Sequence, residues 1–75
     1  MEDVVLVYSK NNCAQCRATK QFLDRNDVAY KEVNLDEHPE EIDTVKSMGF
    51  SSLPVVVAKG VQPFFGFRPD ILEEL

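Results

Sequence analysis

Cys13 and Cys16 are the only cysteines in the chain, spaced Cys13-Ala14-Gln15-Cys16 inside the stretch NNCAQCRATKQFL. Two thiols at this spacing admit three chemistries: a cycling redox pair, part of a metal site, or two inert buried side chains. The residues that follow read as a helix, so Cys13 falls at its cap or first turn. Cys16 comes three residues later, on the same side. Backbone N–H groups at a helix start have no internal partner, and the helix dipole there favours negative charge. A thiolate at Cys13 gains both effects, and Lys10 adds a nearby positive charge. Such settings lower a thiol pKa from about 8.5 to roughly 3.5–7.5. Cys13 is therefore the expected nucleophile. Cys16, deeper in the helix and flanked by packing positions, is the expected resolving thiol.

The rival chemistries fare worse. A zinc or iron–sulfur site usually takes four nitrogen or sulfur ligands. Only His38 could join the two cysteines, and it precedes a helix beyond the second strand, where it reads as a surface residue. Two cysteines are also too few for the disulfide framework of a small secreted scaffold. A CxxC set between a first strand and its crossover helix is a specific signal for thiol–disulfide exchange.

The rest of the chain must position that pair. Its 75 residues support one domain, 1–75, with a narrow stability margin, since a chain of this size buries only roughly 60% of its unfolded surface. The formal charge of −5 and the lack of a basic cluster exclude nucleic acid and anionic membrane as expected partners. The apolar runs Val4–Val7 and Leu53–Ala58 are too short to span a bilayer. The start, MEDVVLVY, is acidic and leads into a strand, unlike a secretory signal. A cytoplasmic monomer is expected. In that reducing compartment a permanent disulfide is disfavoured, and a cycling one is not.

Val4–Tyr8 is β-branched and apolar on both alternating faces, as suits a strand covered on both sides. Ala14, Ala18 and Phe22, with Thr19 and Leu23 beside them, predict the buried stripe of the first helix, which Asn26-Asp27 ends. Ala29–Leu35 reads as a partly exposed second strand, parallel to the first through a right-handed crossover. Pro39 opens the next helix, Ile42, Val45 and Met48 are its expected buried face, and Gly49 stops it. Leu53–Ala58 and Val61–Phe65 form a hairpin across Lys59-Gly60, the first of these strands lying beside Val4–Tyr8. Pro63 places the second at a sheet edge. Pro69-Asp70 starts a last short helix with Ile71, Leu72 and Leu75 facing inward. Alternation divides Phe64, Phe65 and Phe67 between core and surface. The order βαβαββα predicts an α/β fold with a four-stranded mixed sheet flanked by three helices.

With the stretches VYSKNNCAQCRATKQFL, GFSSLPVVV and GFRPDILEEL in place, nearly the whole chain resembles the thioredoxin superfamily. Within it the chain resembles the glutaredoxin-like branch, and most of all the NrdH-redoxins. Cys13-Ala14-Gln15-Cys16 matches their C-[VMA]-Q-C motif. Phe64-Phe65-Gly66-Phe67-Arg68-Pro69-Asp70 partly matches their W-S-G-F-R-P-[DE] signature, with Phe64 and Phe65 standing where Trp and Ser are usual. The resemblance implies a thioredoxin fold and a cis bond before Pro54. It also implies a Leu53 backbone that receives an extended substrate by strand-like pairing. It implies a thiol–disulfide oxidoreductase with no bound organic or metal cofactor, reduced by thioredoxin reductase, hence only indirectly by NADPH. The electron acceptor it implies is the large subunit of class Ib ribonucleotide reductase. Lys10, Ala14, Gln15, Leu53, Pro54, Gly66, Phe67 and Arg68 are the implied substrate and partner contacts, although Arg68 could equally brace the last helix against a nearby acid. Ordinary glutaredoxins carry Cys-Pro-Tyr-Cys and a Gly-Gly-x-Asp-like stretch for glutathione, and this chain has neither. Lys10 nevertheless resembles the glutaredoxin lysine three residues before the first cysteine, which keeps a glutathione-dependent glutaredoxin as the first alternative. A non-catalytic module sharing a metal cluster between two chains through Cys13 is the second.

Overall fold

The β-branched run at the start of the chain forms the inner strand β1 (Val5–Ser9), with strands paired to both of its edges in a computed structural model that describes residues 4–75. The acidic start Met1-Glu2-Asp3 lies outside the described residues. Strand β2 (Tyr30–Asn34) runs parallel to β1, from the pair Val5–Tyr30 to the pair Ser9–Asn34. Strand β3 (Val55–Ala58) is antiparallel to β1 on its other edge, and β4 (Val61–Phe65) is antiparallel to β3. The sheet order is β2-β1-β3-β4, which puts β4 and its exposed Pro63 at an edge, where a missing N–H costs no ladder bond.

Helices α1 (Ala14–Arg25) and α3 (Pro69–Leu72) cover one face of the sheet, and α2 (Ile42–Ser47) belongs to the other. The pleat sorts side chains between them. Val5, Val7, Val56 and Phe64 meet Leu23 and Leu72 on the α1–α3 side, while Tyr8 and Val55 meet Leu35 and Val45 on the α2 side. Phe65 is left outside at 52% exposure, as the alternation predicts. The element order and mixed four-stranded sheet are those expected from the sequence. No helix among the described residues is long and apolar enough to cross a membrane.

Three expectations need correction. The buried face of α1 is Cys16, Thr19 and Leu23; Ala14 is exposed, and Ala18 and Phe22 are half-buried. Thr19 can take a core position because its hydroxyl donates to the Gln15 carbonyl at 2.9 Å, so the stripe turns toward the second cysteine. Ile42 is exposed rather than buried, because Pro39–Glu41 forms a 3₁₀ turn and leaves Ile42 at the first position of α2. Strand β3 begins at Val55, not Leu53, since Pro54 brings no donor to the ladder.

Candidate active site

The loop from Lys10 to Asn12 delivers Cys13 to the start of α1. Asn12 has φ +56°, a left-handed conformation that Asn tolerates better than most residues. The Asn11 N–H donates to the Asp36 carboxylate at 2.8 Å, and the Asn34 side-chain amide donates to the Asn11 side-chain oxygen at 3.1 Å. Asp36 N–H in turn donates to the Asn34 side-chain oxygen at 2.8 Å, so the loop is tied to the end of β2. Sequence reasoning assigned none of these residues a role. Asn11, Asn12 and Asp36 beside the predicted strands were the available signal, because such side chains bond nearby backbone, whereas Asn34 fell within the predicted strand Ala29–Leu35.

Cys13 is the N-cap of α1, with φ −119° and ψ 106°; its carbonyl accepts the Arg17 N–H at 3.1 Å and its Sγ accepts the Cys16 N–H at 3.1 Å. A sulfur in the cap position takes the bond that a Ser or Asp oxygen usually accepts, and sits at the positive end of the helix. Cys13 and Cys16 are joined as a disulfide with Cα atoms 5.2 Å apart. Their exposure differs, 9% for Cys13 and 1% for Cys16. Ala14 and Gln15, between them, are exposed.

The other site residues fall into three sets. The Leu53–Pro54 bond is cis, Pro54 is fully buried, and its carbonyl accepts the Gly66 N–H at 2.8 Å. Next to Gly66, the Phe67 N–H donates to Gln15 Oε1 at 3.0 Å, and the Phe67 ring meets Phe22 of α1 edge-on at 6.3 Å. Gly66 adopts φ +84°, and a Cβ there would stand 3.3 Å from Gln15 Oε1, so glycine suits both conformation and space. The structure thus links the CxxC helix start, Pro54 and the Gly66–Phe67 segment through two hydrogen bonds. Lys10 and Leu53 instead line an open groove of about 230 Å³ with Ile42, Val45, Lys46 and Phe50. Arg68 is the N-cap residue of α3 and pairs with Asp70 at 2.9 Å on the surface. Hydrogen bonding within that pair raises the Arg68 pKa and lowers that of Asp70. Arg68 thus has the acidic neighbour that a brace on the last helix would use.

A second polar network, also missed in the sequence, joins α1 to the sheet. Ser9, fully buried at the end of β1, donates its hydroxyl to Glu32 of β2, and Lys20 of α1 reaches the same carboxylate at 2.8 Å. The Lys20 hydrogen bond, then that of Ser9, holds the Glu32 carboxyl below its ordinary value. Burial, and then the Glu41 charge, push the Tyr8 phenol up. His38 is exposed, 3.2 Å from Glu40, and among the described residues no group of three or more His, Cys, Asp or Glu is placed to hold a metal ion.

The glutaredoxin family model matches residues 5–62. The glutaredoxin-like protein NrdH of Lactococcus lactis subsp. cremoris is 46% identical over 72 residues, covering 96% of this chain and 99% of its own. The solved Escherichia coli NrdH-redoxin, a glutaredoxin-like protein with a thioredoxin-like activity profile, superposes with a TM-score of 0.89 at 35% identity. That match covers 95% of this chain and 92% of the other. A glutaredoxin of Archaeoglobus fulgidus superposes at 0.83 with 33% identity, covering 97% and 85%. The mixed sheet with its three helices is thus a thioredoxin-like fold, and the CxxC pair is that of a glutaredoxin-like thiol–disulfide oxidoreductase. The chain belongs to the glutaredoxin family and, within it, to the NrdH-type redoxins.

Proposed function

We propose that the chain is a cytoplasmic dithiol electron carrier, reduced by thioredoxin reductase at the expense of NADPH, that reduces a disulfide on the large subunit of class Ib ribonucleotide reductase. The observation that carries this reading is the sulfur-capped helix: Cys13 sits at the positive end of α1 and accepts the Cys16 N–H, with Cys16 buried behind it. In the reduced protein the Cys13 thiolate attacks one sulfur of the substrate disulfide, whose S–S bond breaks and whose second sulfur leaves as a thiolate. Cys16 then loses its proton and attacks Cys13 Sγ. The Cys13–Cys16 disulfide forms, the remaining substrate sulfur departs, and two electrons have passed to the substrate. The backbone at Leu53, beside Pro54, receives the extended substrate chain and aligns its sulfur with Cys13. The thioredoxin-like activity profile of the Escherichia coli relative and the identity to NrdH proteins support thioredoxin reductase as reductant.

Lys10 and Leu53, sharing one groove, are what favour the second reading, glutathione as reductant. The primary reading is tested by reconstitution with NADPH, thioredoxin reductase and class Ib ribonucleotide reductase. Deoxyribonucleotide formation should depend on this chain and be abolished by Cys13→Ser. Equal formation with and without the chain, in a system shown to need a dithiol donor, would sink it.

A further inference from the structure

The geometry points to Gln15 as a positioning residue that fixes the substrate ledge relative to the attacking sulfur. This rests on the ledge reading above and adds the element that makes it work. The ledge at Leu53-Pro54 and the nucleophile at Cys13 belong to segments far apart in the chain, and each lies in a loop or at a helix end. Transfer requires a substrate strand seated on one while its sulfur lies in line with the other. An error of about 1 Å in such an alignment can cost on the order of 10²-fold in rate.

Gly66-Phe67 is the strut between them. On one side the Gly66 N–H holds the Pro54 carbonyl at 2.8 Å. On the other, the Phe67 N–H is held by Gln15 Oε1 at 3.0 Å, across 52 residues of sequence. The Phe67 ring on Phe22 adds a second tie to α1, two turns further along the helix. Glycine at position 66 lets Gln15 come this close, because an added Cβ would meet Oε1 at 3.3 Å. Gln15 is exposed and belongs to neither hydrophobic cluster, so its contribution is this bond rather than core packing. Cys13, at the N-cap two residues earlier, shares the first turn with Gln15, so holding one holds the other relative to Pro54.

A strut of this kind matters for a substrate that uses the ledge and is dispensable for one that touches only sulfur. The test therefore compares two disulfides in single-turnover oxidation of the pre-reduced protein: insulin, a polypeptide, and cystine, a small molecule. No reductase or ribonucleotide reductase is present, so the outcome is independent of which reductant the chain uses. Gln15→Ala should lower the insulin rate constant about tenfold relative to that of cystine, within reach of one lost hydrogen bond and a sub-ångström shift. Gln15→Glu keeps an acceptor oxygen and should restore the insulin-to-cystine ratio to within about twofold, whatever its charge does to both rates. Gly66→Ala should reproduce the loss seen with Gln15→Ala. A ratio unchanged by Gln15→Ala, or one that Gln15→Glu fails to restore, would overturn the positioning role.

Discussion

Cys13 and Cys16 differ in position by one helical turn, and the proposed exchange gives them different work. The cap sulfur belongs to the more exposed residue of the pair, at 9% against 1% for Cys16. Cys16→Ser should therefore accumulate a covalent adduct between Cys13 and a protein disulfide, visible by mass spectrometry, whereas Cys13→Ser should form none. An adduct on Cys16 in the Cys13→Ser protein would reverse the assignment. Glu32 makes a second residue-level prediction. Its carboxyl is held below the ordinary 4.5 by Lys20 and Ser9, so the stability it contributes is fully present above that value. That stability is lost as pH falls through the depressed folded value. In denaturant titrations the gap between the native protein and Glu32→Gln should be widest above pH 4.5 and should shrink as the pH falls below it. At this scale the placement of the two cysteines at the start of α1 was legible in the sequence, because helix-start signals are local. The partner of Gln15 was not: its acceptor oxygen meets Phe67 across 52 residues, and no periodicity reports such a contact.

Element ends account for much of what the sequence made readable. At the end of α1, the Val28 N–H reaches the Leu23 carbonyl at 2.9 Å and the Asp27 N–H reaches Asp24 at 3.2 Å, with Asp27 at φ +56°. The same paired bonds close α2, from Phe50 to Val45 at 3.4 Å and from Gly49 to Lys46 at 2.9 Å. Both are the Schellman arrangement, which Asn-Asp and Gly announce in sequence. Gly49 has φ +92° and open space around it, so Gly49→Ala is opposed by conformation alone and should cost about 1–2 kcal/mol in thermal or denaturant unfolding. Leu23, with no exposed surface, should lose about 2–5 kcal/mol as Ala. That is a large share of the roughly 4–11 kcal/mol available to a chain of this length at about 0.05–0.15 kcal/mol per residue. Helix faces were harder to read than helix ends. Apolar residue types alone pointed to Ala14 and Ile42, but Thr19 satisfies its hydroxyl internally and the 3₁₀ turn shifts the start of α2.

Across the whole molecule, the sheet brings β3 beside β1, and this places the loop before Val55 at the same end as the loop after Ser9. Tyr8 pairs with Val55, so the strand that leads into the CxxC loop and the strand that leaves Pro54 share one ladder. The βαβαββα order was readable from alternation, crossover length and turn residues. Choice of reductant was not, because it depends on which surface another protein recognises. The most direct measurement is NADPH consumption with the oxidised chain, comparing thioredoxin reductase against glutathione plus glutathione reductase at matched concentrations. Fast turnover with thioredoxin reductase and little with glutathione is the predicted result. Rapid turnover through glutathione with none through thioredoxin reductase would contradict it.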